Sequence, residues 1–240
     1  MRKLYPAVFF VATIFASCDN MFHKTINGSG NVVTEDRNIN NADKIKSYGS
    51  FDIVIIQGSS TSVKVEADDN LMPYIVTANE DGALVIKARE NYNLRSDKTI
   101  KITITTNELE LIDVAGSGNV KGEGKFTGRD HLKISVAGTG DVDLNVNTPE
   151  IESHIAGTGN ITLAGETRNS KIEIAGMGDY NAENLMSENV EIHIAGTGNT
   201  KVHAASKLDV HIAGSGDVFY KGSPNISQDI AGSGKISKMD

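Results

Sequence analysis

The sequence predicts an all-β chain: a right-handed parallel β-helix, a solenoid of 18–22 residue coils, preceded by a β-rich amino-terminal part. An aliphatic residue followed by Ala-Gly-x-Gly recurs seven times between Val114 and Ile236, with 18 to 22 residues between copies. A unit this short cannot bury its own apolar face, so it must stack on its neighbours. The residues before each copy alternate apolar and polar, the period of a half-buried strand. No stretch of ten shows the 3.6 period of a helical solenoid, and a propeller blade needs about 40 residues. Right-handed crossover is the strong default for parallel strands.

From the amino terminus, residues 1–17 read as an export signal, with Arg2 and Lys3 ahead of the apolar run Leu4 to Phe15. That run is too short to span a bilayer. Phe15-Ala16-Ser17-Cys18 resembles the lipobox of bacterial lipoproteins, which would make Cys18 the lipidated first residue. An ordinary cleaved signal with a lone cysteine is the alternative. Residues 18–24 then form a lipidated tether, and residues 25–240 a single domain, with 25–110 as its amino-terminal β part and 111–240 as the repeat coils.

Ile26-Asn27-Gly28-Ser29-Gly30-Asn31-Val32 is an isolated copy of the repeat signature, read as a strand and turn that docks on the solenoid or its first coil. Strand patterns follow at Phe51–Gln57, Ser62–Glu66, Ala83–Ala88 and Thr99–Thr105. Residues Leu71 to Ile75 allow one helical turn at most, and Asp81-Gly82 marks a hairpin turn. An irregular cap of this kind is expected where a solenoid would otherwise expose apolar edges.

Inside the repeats, Ile112/Val114, Ile134/Val136, Ile172/Ile174, Ile192/Ile194 and Val210/Ile212 give one inward-facing strand per coil. The Gly-x-Gly turns the chain, because a tight turn between sheets needs positive φ or close backbone approach. Val142/Leu144, Ile161/Leu163, Thr200/Val202 and Val218/Tyr220 supply a second strand, and a third, looser side follows.

Cys18 is the only cysteine, so the mature domain holds neither a disulfide nor a thiolate metal site. The net charge of -8 becomes -10 once Arg2 and Lys3 leave with the signal. That balance argues against nucleic acid, whose phosphates need clustered Lys and Arg.

The repeated Ala-Gly-x-Gly-Asn/Asp signature, the Gly28-Ser29-Gly30-Asn31-Val32 opening and Phe51-Asp52-Ile53-Val54-Ile55-Ile56-Gln57-Gly58 resemble the putative auto-transporter adhesin, head GIN domain family. The resemblance covers essentially all of the mature chain. It implies a β-helix related in shape to pectate lyases and a bacterial envelope or secreted protein, and it brings no catalytic residues.

Stacked coils place equivalent residues about 4.8 Å apart, so outward positions form rows. One row runs Asp113, Ser135, His154, Glu173, His193, His211, Asp229, and two positions earlier Lys133, Glu152, Lys171 and Glu191 alternate in sign. Such rows are either a self-paired solvated face or a ligand face, for which His154, Glu173, His193 and His211 are the candidates. Donors on successive rungs lie along a line rather than a tetrahedron, so no metal and no cofactor is expected there. A second row, Asn119, Asp141, Asn160, Asp179, Asn199 and Asp217, follows the turn glycines and reads as a structural ladder of stacked or local Asx bonds. Calcium-binding β-roll repeats have a nine-residue period, which is absent here.

The expectation is therefore an exported module, lipid-anchored in the bacterial envelope, most simply at the outer membrane. It would bind a glycan or a protein in an adhesion-like role, touch membrane only through its lipid, and not be an enzyme. A polysaccharide lyase or hydrolase, or a purely structural envelope protein, are the alternatives. Lyases and hydrolases need clustered acids about a cleft, whereas the repeats carry only Arg129 and Arg168 as arginines and spread their acids singly, Asp141/Asp143 apart. Self-association through the last coil or along a sheet face is also expected.

Overall fold

The alternation read along each repeat is realised as columns of aliphatic side chains inside a parallel β-helix. The structure is a computed structural model that describes residues 23–239. The export signal, Cys18 and most of the tether lie outside the described residues. Ile112, Ile134, Ile172, Ile192 and Val210 share one buried column, with the buried Ser153 between Ile134 and Ile172, and Val114, Val136, Ile155, Ile174, Ile194 and Ile212 stack in another. Burying each such side chain stabilises by about 1.5–3 kcal/mol, which is how units with no core of their own hold together.

The first repeat coil does not stack on the chain segment that precedes it. Residues Leu111–Gly116 pair in parallel with Lys44–Gly49, with Gly116 opposite Gly49, and Val120 follows on Ile53. The strands Ala83–Ala88 and Lys101–Thr106 lie on the other side of that same coil, again in parallel. Part of the expected irregular cap is thus itself coiled. Antiparallel strands complete it: Ile75–Glu80 folds back on Ala83–Ala88 through Asp81-Gly82, and Ser62–Asp68 joins Val32–Arg37 to Lys101–Thr106. The single helical turn is the 3-10 segment Met72–Tyr74.

The isolated signature copy docks on this amino-terminal part. Lys24–Asn27 pairs in parallel with Tyr92–Arg95. The Gly30 N–H donates to Asp68 Oδ1 at 2.6 Å, and Asn31 Nδ2 to Asp69 Oδ2 at 2.8 Å. A side chain at Gly28 would lie 2.2 Å from the Asp68 carboxylate. Here glycine admits a carboxylate, not a neighbouring coil.

The third side of the coil is tighter than its sequence suggests. Ile161–Gly176, Tyr180–Gly196 and Thr200–Gly214 each continue as one strand from the second side through the third to the next turn. Rung-to-rung backbone bonding keeps these polar corner residues extended, with register shifts at Thr162/Ala164 and Ala182/Met186 where the chain bends. The core also holds Tyr180, fully buried, with its hydroxyl 3.5 Å from Ser170 Oγ. Burial pushes the Tyr180 phenol up, against the lowering effect of the Ser170 and Ser153 hydroxyls.

Candidate functional site

Because side chains alternate across a strand, the residue two before each turn alanine points outward beside it. In-register stacking converts that local fact into continuous rows. His154, Glu173, His193 and His211 occupy four consecutive rungs, extended by Ser135, Asp113 and Lys46 on one side and Asp229 on the other. Next to them runs a row of alanines, Ala115, Ala137, Ala156, Ala175, Ala195, Ala213 and Ala231, which opens at Tyr48. The turn residues Ser117, Thr139, Thr158, Met177, Thr197, Ser215 and Ser233 follow the alanines two positions on and are exposed. The difference in side-chain length makes a groove of about 580 Å³ from His154 to Ala231, with a methyl floor and an imidazole and carboxylate wall.

The four candidate residues are thus brought together. The alanine floor and Tyr48 were not foreseen, although the Ala of each repeat was in plain view. Its signal was the outward parity of that position.

The charges of the wall pair mainly within strands rather than between rungs. His154 Nε2 is 2.8 Å from Glu152, His193 Nε2 is 2.8 Å from Glu191, and Lys171 Nζ is 2.7 Å from Glu173. Lys133–Glu152 at 3.5 Å, His131–Glu152 at 3.9 Å and His154 Nδ1–Glu173 at 3.1 Å cross rungs here. Two residues on the same face of one strand are about 6.6 Å apart, still within reach of long side chains, so the sign alternation at Lys133, Glu152, Lys171 and Glu191 only partly becomes cross-rung pairing. The Lys171 ammonium holds the Glu173 carboxyl below the usual carboxylate range, with His154 adding to it against desolvation. Burial acts to raise Glu152, but the His154 and Lys133 contacts outweigh it and leave that carboxyl lowered too. His193 and His211 stack with ring centroids 4.8 Å apart and planes 6° from parallel.

The Asx row is a bonded ladder between coils rather than a set of local turns. The backbone N–H of each member donates to Oδ1 of the member one coil earlier, from Asn119 on Asp52 at 2.9 Å, through Asp141 on Asn119 at 3.1 Å, to Lys235 on Asp217 at 2.8 Å. Asp52 is a member that the sequence conceals, because Ser47-Tyr48-Gly49-Ser50-Phe51-Asp52-Ile53 keeps the first glycine and the acid but replaces the alanine and the second glycine. Among the described residues, no group of three or more His, Cys, Asp or Glu side chains is disposed to hold a metal ion.

A family model described as "Putative auto-transporter adhesin, head GIN domain" matches residues 41–224. Among solved structures, a putative adhesin from Bacteroides fragilis NCTC 9343 is 29% identical with a TM-score of 0.84, and the match covers 89% of this chain and 100% of that one. A protein from Parabacteroides distasonis ATCC 8503 named as a putative lipid binding protein is 31% identical, with a TM-score of 0.74, covering 90% of this chain and 100% of its own. A putative adhesin from the same organism shares the fold at 22% identity and a TM-score of 0.72, with 90% and 100% covered. No curated protein matches the sequence.

Proposed function

We propose, from the premise that the chain belongs to the putative auto-transporter adhesin, head GIN domain family, that it is a non-catalytic binding module with an adhesion-like role, exported and anchored to the bacterial envelope through Cys18. The observation that carries the reading is the axial groove. Five consecutive rungs repeat one pattern of alanine floor and polar wall, which suits an elongated ligand lying along the solenoid rather than a small molecule held at one point.

Glycoside hydrolysis by a pair of carboxyl groups needs one of them held protonated near neutral pH. In the groove wall, Glu152 and Glu173 are instead held ionised by His154, Lys133 and Lys171. The Asp141 carboxylate is occupied as an acceptor in the Asx ladder. These properties favour a recognition surface over a carboxyl-pair hydrolase.

The test is to incubate residues 19–240 with a panel of envelope and host polysaccharides and purified surface proteins, scoring retention and the appearance of new reducing or unsaturated ends. Retention without new ends is the expected result. New ends would make the protein an enzyme, and no retention of any kind would leave a structural envelope role.

A further inference from the structure

We infer that the groove is a track for an unbranched glycan of low negative charge; this rests on the binding reading above and names its ligand. A sugar ring is amphipathic in a particular way, with C–H groups on its faces and hydroxyls around its rim. The groove has the complementary section. Its floor is a single file of methyl groups, one wall carries the hydrogen-bonding groups of His154, Glu173, His193, His211 and Asp229, and the turn residues two positions beyond the alanines, Thr158, Met177, Thr197 and Ser215, are exposed. Imidazoles, carboxylates and hydroxyls together offer both donors and acceptors. The pattern recurs every rung, about 4.8 Å, a repeat on the order of one ring.

The same geometry disfavours the other elongated ligands. An acyl chain gains from enclosure by apolar surface, and a floor one methyl wide beside a polar wall leaves most of it wet. An extended peptide is captured chiefly by free backbone N–H and C=O groups at a sheet edge. On this face those groups are committed to neighbouring rungs. Polyanions meet Glu173 and Asp229 in the wall and Glu152, Glu191 and Asp209 two residues before His154, His193 and His211, against Lys171 and Lys207. At the amino-terminal end of the floor, Tyr48 is 41% exposed and supplies an aromatic face in line with the alanines.

The deciding experiment is calorimetric titration of residues 19–240 with neutral cello- and chito-oligosaccharides long enough to span Ala156 to Ala231, with a hyaluronan fragment of equal length, and with phosphatidylcholine vesicles. It is repeated on Ala195→Arg, which fills the floor, and on Thr162→Arg, an exposed position on another side of the coil. Circular dichroism and melting confirm that both variants fold. The expected result is saturable binding of a neutral chain, weaker for hyaluronan, reduced by at least about tenfold in Ala195→Arg, a 1.4 kcal/mol loss, and unchanged in Thr162→Arg. Tighter binding of hyaluronan, or indifference to Ala195→Arg, overturns the inference. Vesicle binding lost in Ala195→Arg, or retention of a protein from the wider panel without oligosaccharide binding, overturns the glycan while leaving a binding module. Absence of every ligand overturns both.

Discussion

Asn160 Nδ2 donates to Asp141 Oδ1 at 2.8 Å, and the Asn160 backbone N–H donates to that same oxygen at 2.9 Å. The row in which this pair sits alternates strictly: Asp52, Asn119, Asp141, Asn160, Asp179, Asn199, Asp217. Neighbouring rungs are about 4.8 Å apart, so a row of aspartates alone would put like charges side by side. Alternation doubles the spacing between charges and supplies an amide donor next to each carboxylate.

Asn160→Asp would place carboxylates at 141, 160 and 179 in consecutive rungs and remove an N–H donor. A loss of about 1–2 kcal/mol is expected. Urea denaturation should show this loss shrinking at high salt, which screens the repulsion. Asn160→Ala should lose a similar amount without the salt dependence.

The two turn glycines are needed for different reasons. Gly196 has φ +144, and a Cβ there would lie 2.1 Å from the Gly176 carbonyl oxygen. Gly198 has no such φ, yet its Cβ would lie 2.1 Å from the Gly178 carbonyl oxygen. Either residue changed to alanine should cost on the order of 3 kcal/mol or more, whereas Thr197→Ala between them should stay within about 0.5 kcal/mol. Thermal melts of the three variants check the contrast.

Arg129 ties the first repeat coil to the amino-terminal part, reaching Asp43 at 2.6 Å, Glu108 at 2.7 Å and Glu110 at 3.6 Å. The Asp43 side chain is only 9% exposed. Arg129→Ala leaves that carboxylate largely buried beside Asn41, so a loss of about 2–3 kcal/mol is expected, below the full cost for a buried pair because the arginine is partly solvated. Amide exchange should show residues 44–57 and 111–127 losing protection together.

Lys171 and Glu173 make a pH test. The Glu173 carboxyl is lowered on folding, so its contribution is present above the unfolded value, about 4.3, and is lost as pH falls through the lower folded value. Exposure keeps that contribution small. Lys171→Ala should move the Glu173 midpoint upward in a carbon-detected NMR titration, since the ammonium is the leading cause of the shift.

The last coil leaves its apolar residues open. Ile226 is 42% exposed, and Ile230 and Ile236 are only half-buried, where their counterparts Leu208, Ile212 and Val218 are buried. Among the described residues, Asn225–Gly232 pairs with Thr200–Gly214 alone, and its outer edge has no strand partner. Weak self-association through that edge is the expected outcome, and Ile226→Lys should abolish it in sedimentation velocity.

The sequence by itself determined the solenoid, because the seven Ala-Gly-x-Gly turns and the alternation before them admit one stacking, with Val114, Val136 and their equivalents inside. It also determined which residues share a row, since parity and register suffice to align His154 with Glu173, His193 and His211. Tertiary structure alone decided that Leu111–Gly116 stacks on Lys44–Gly49 rather than on the nearer Lys101–Thr106, because Lys44–Gly49 takes Ala83–Ala88 on one edge and Leu111–Gly116 on the other, an order that distance along the chain does not dictate. It likewise decided that Asp52 heads the Asx ladder and Tyr48 the alanine floor. In that coil the second turn glycine is replaced by Phe51, and the coil beneath it has the longer connection 89–100 in place of a glycine turn. Gly118 must be glycine because its Cβ would meet the Phe51 carbonyl, whereas beneath Phe51 there is no glycine turn of the repeat, and the motif that would have revealed Asp52 is absent from the sequence.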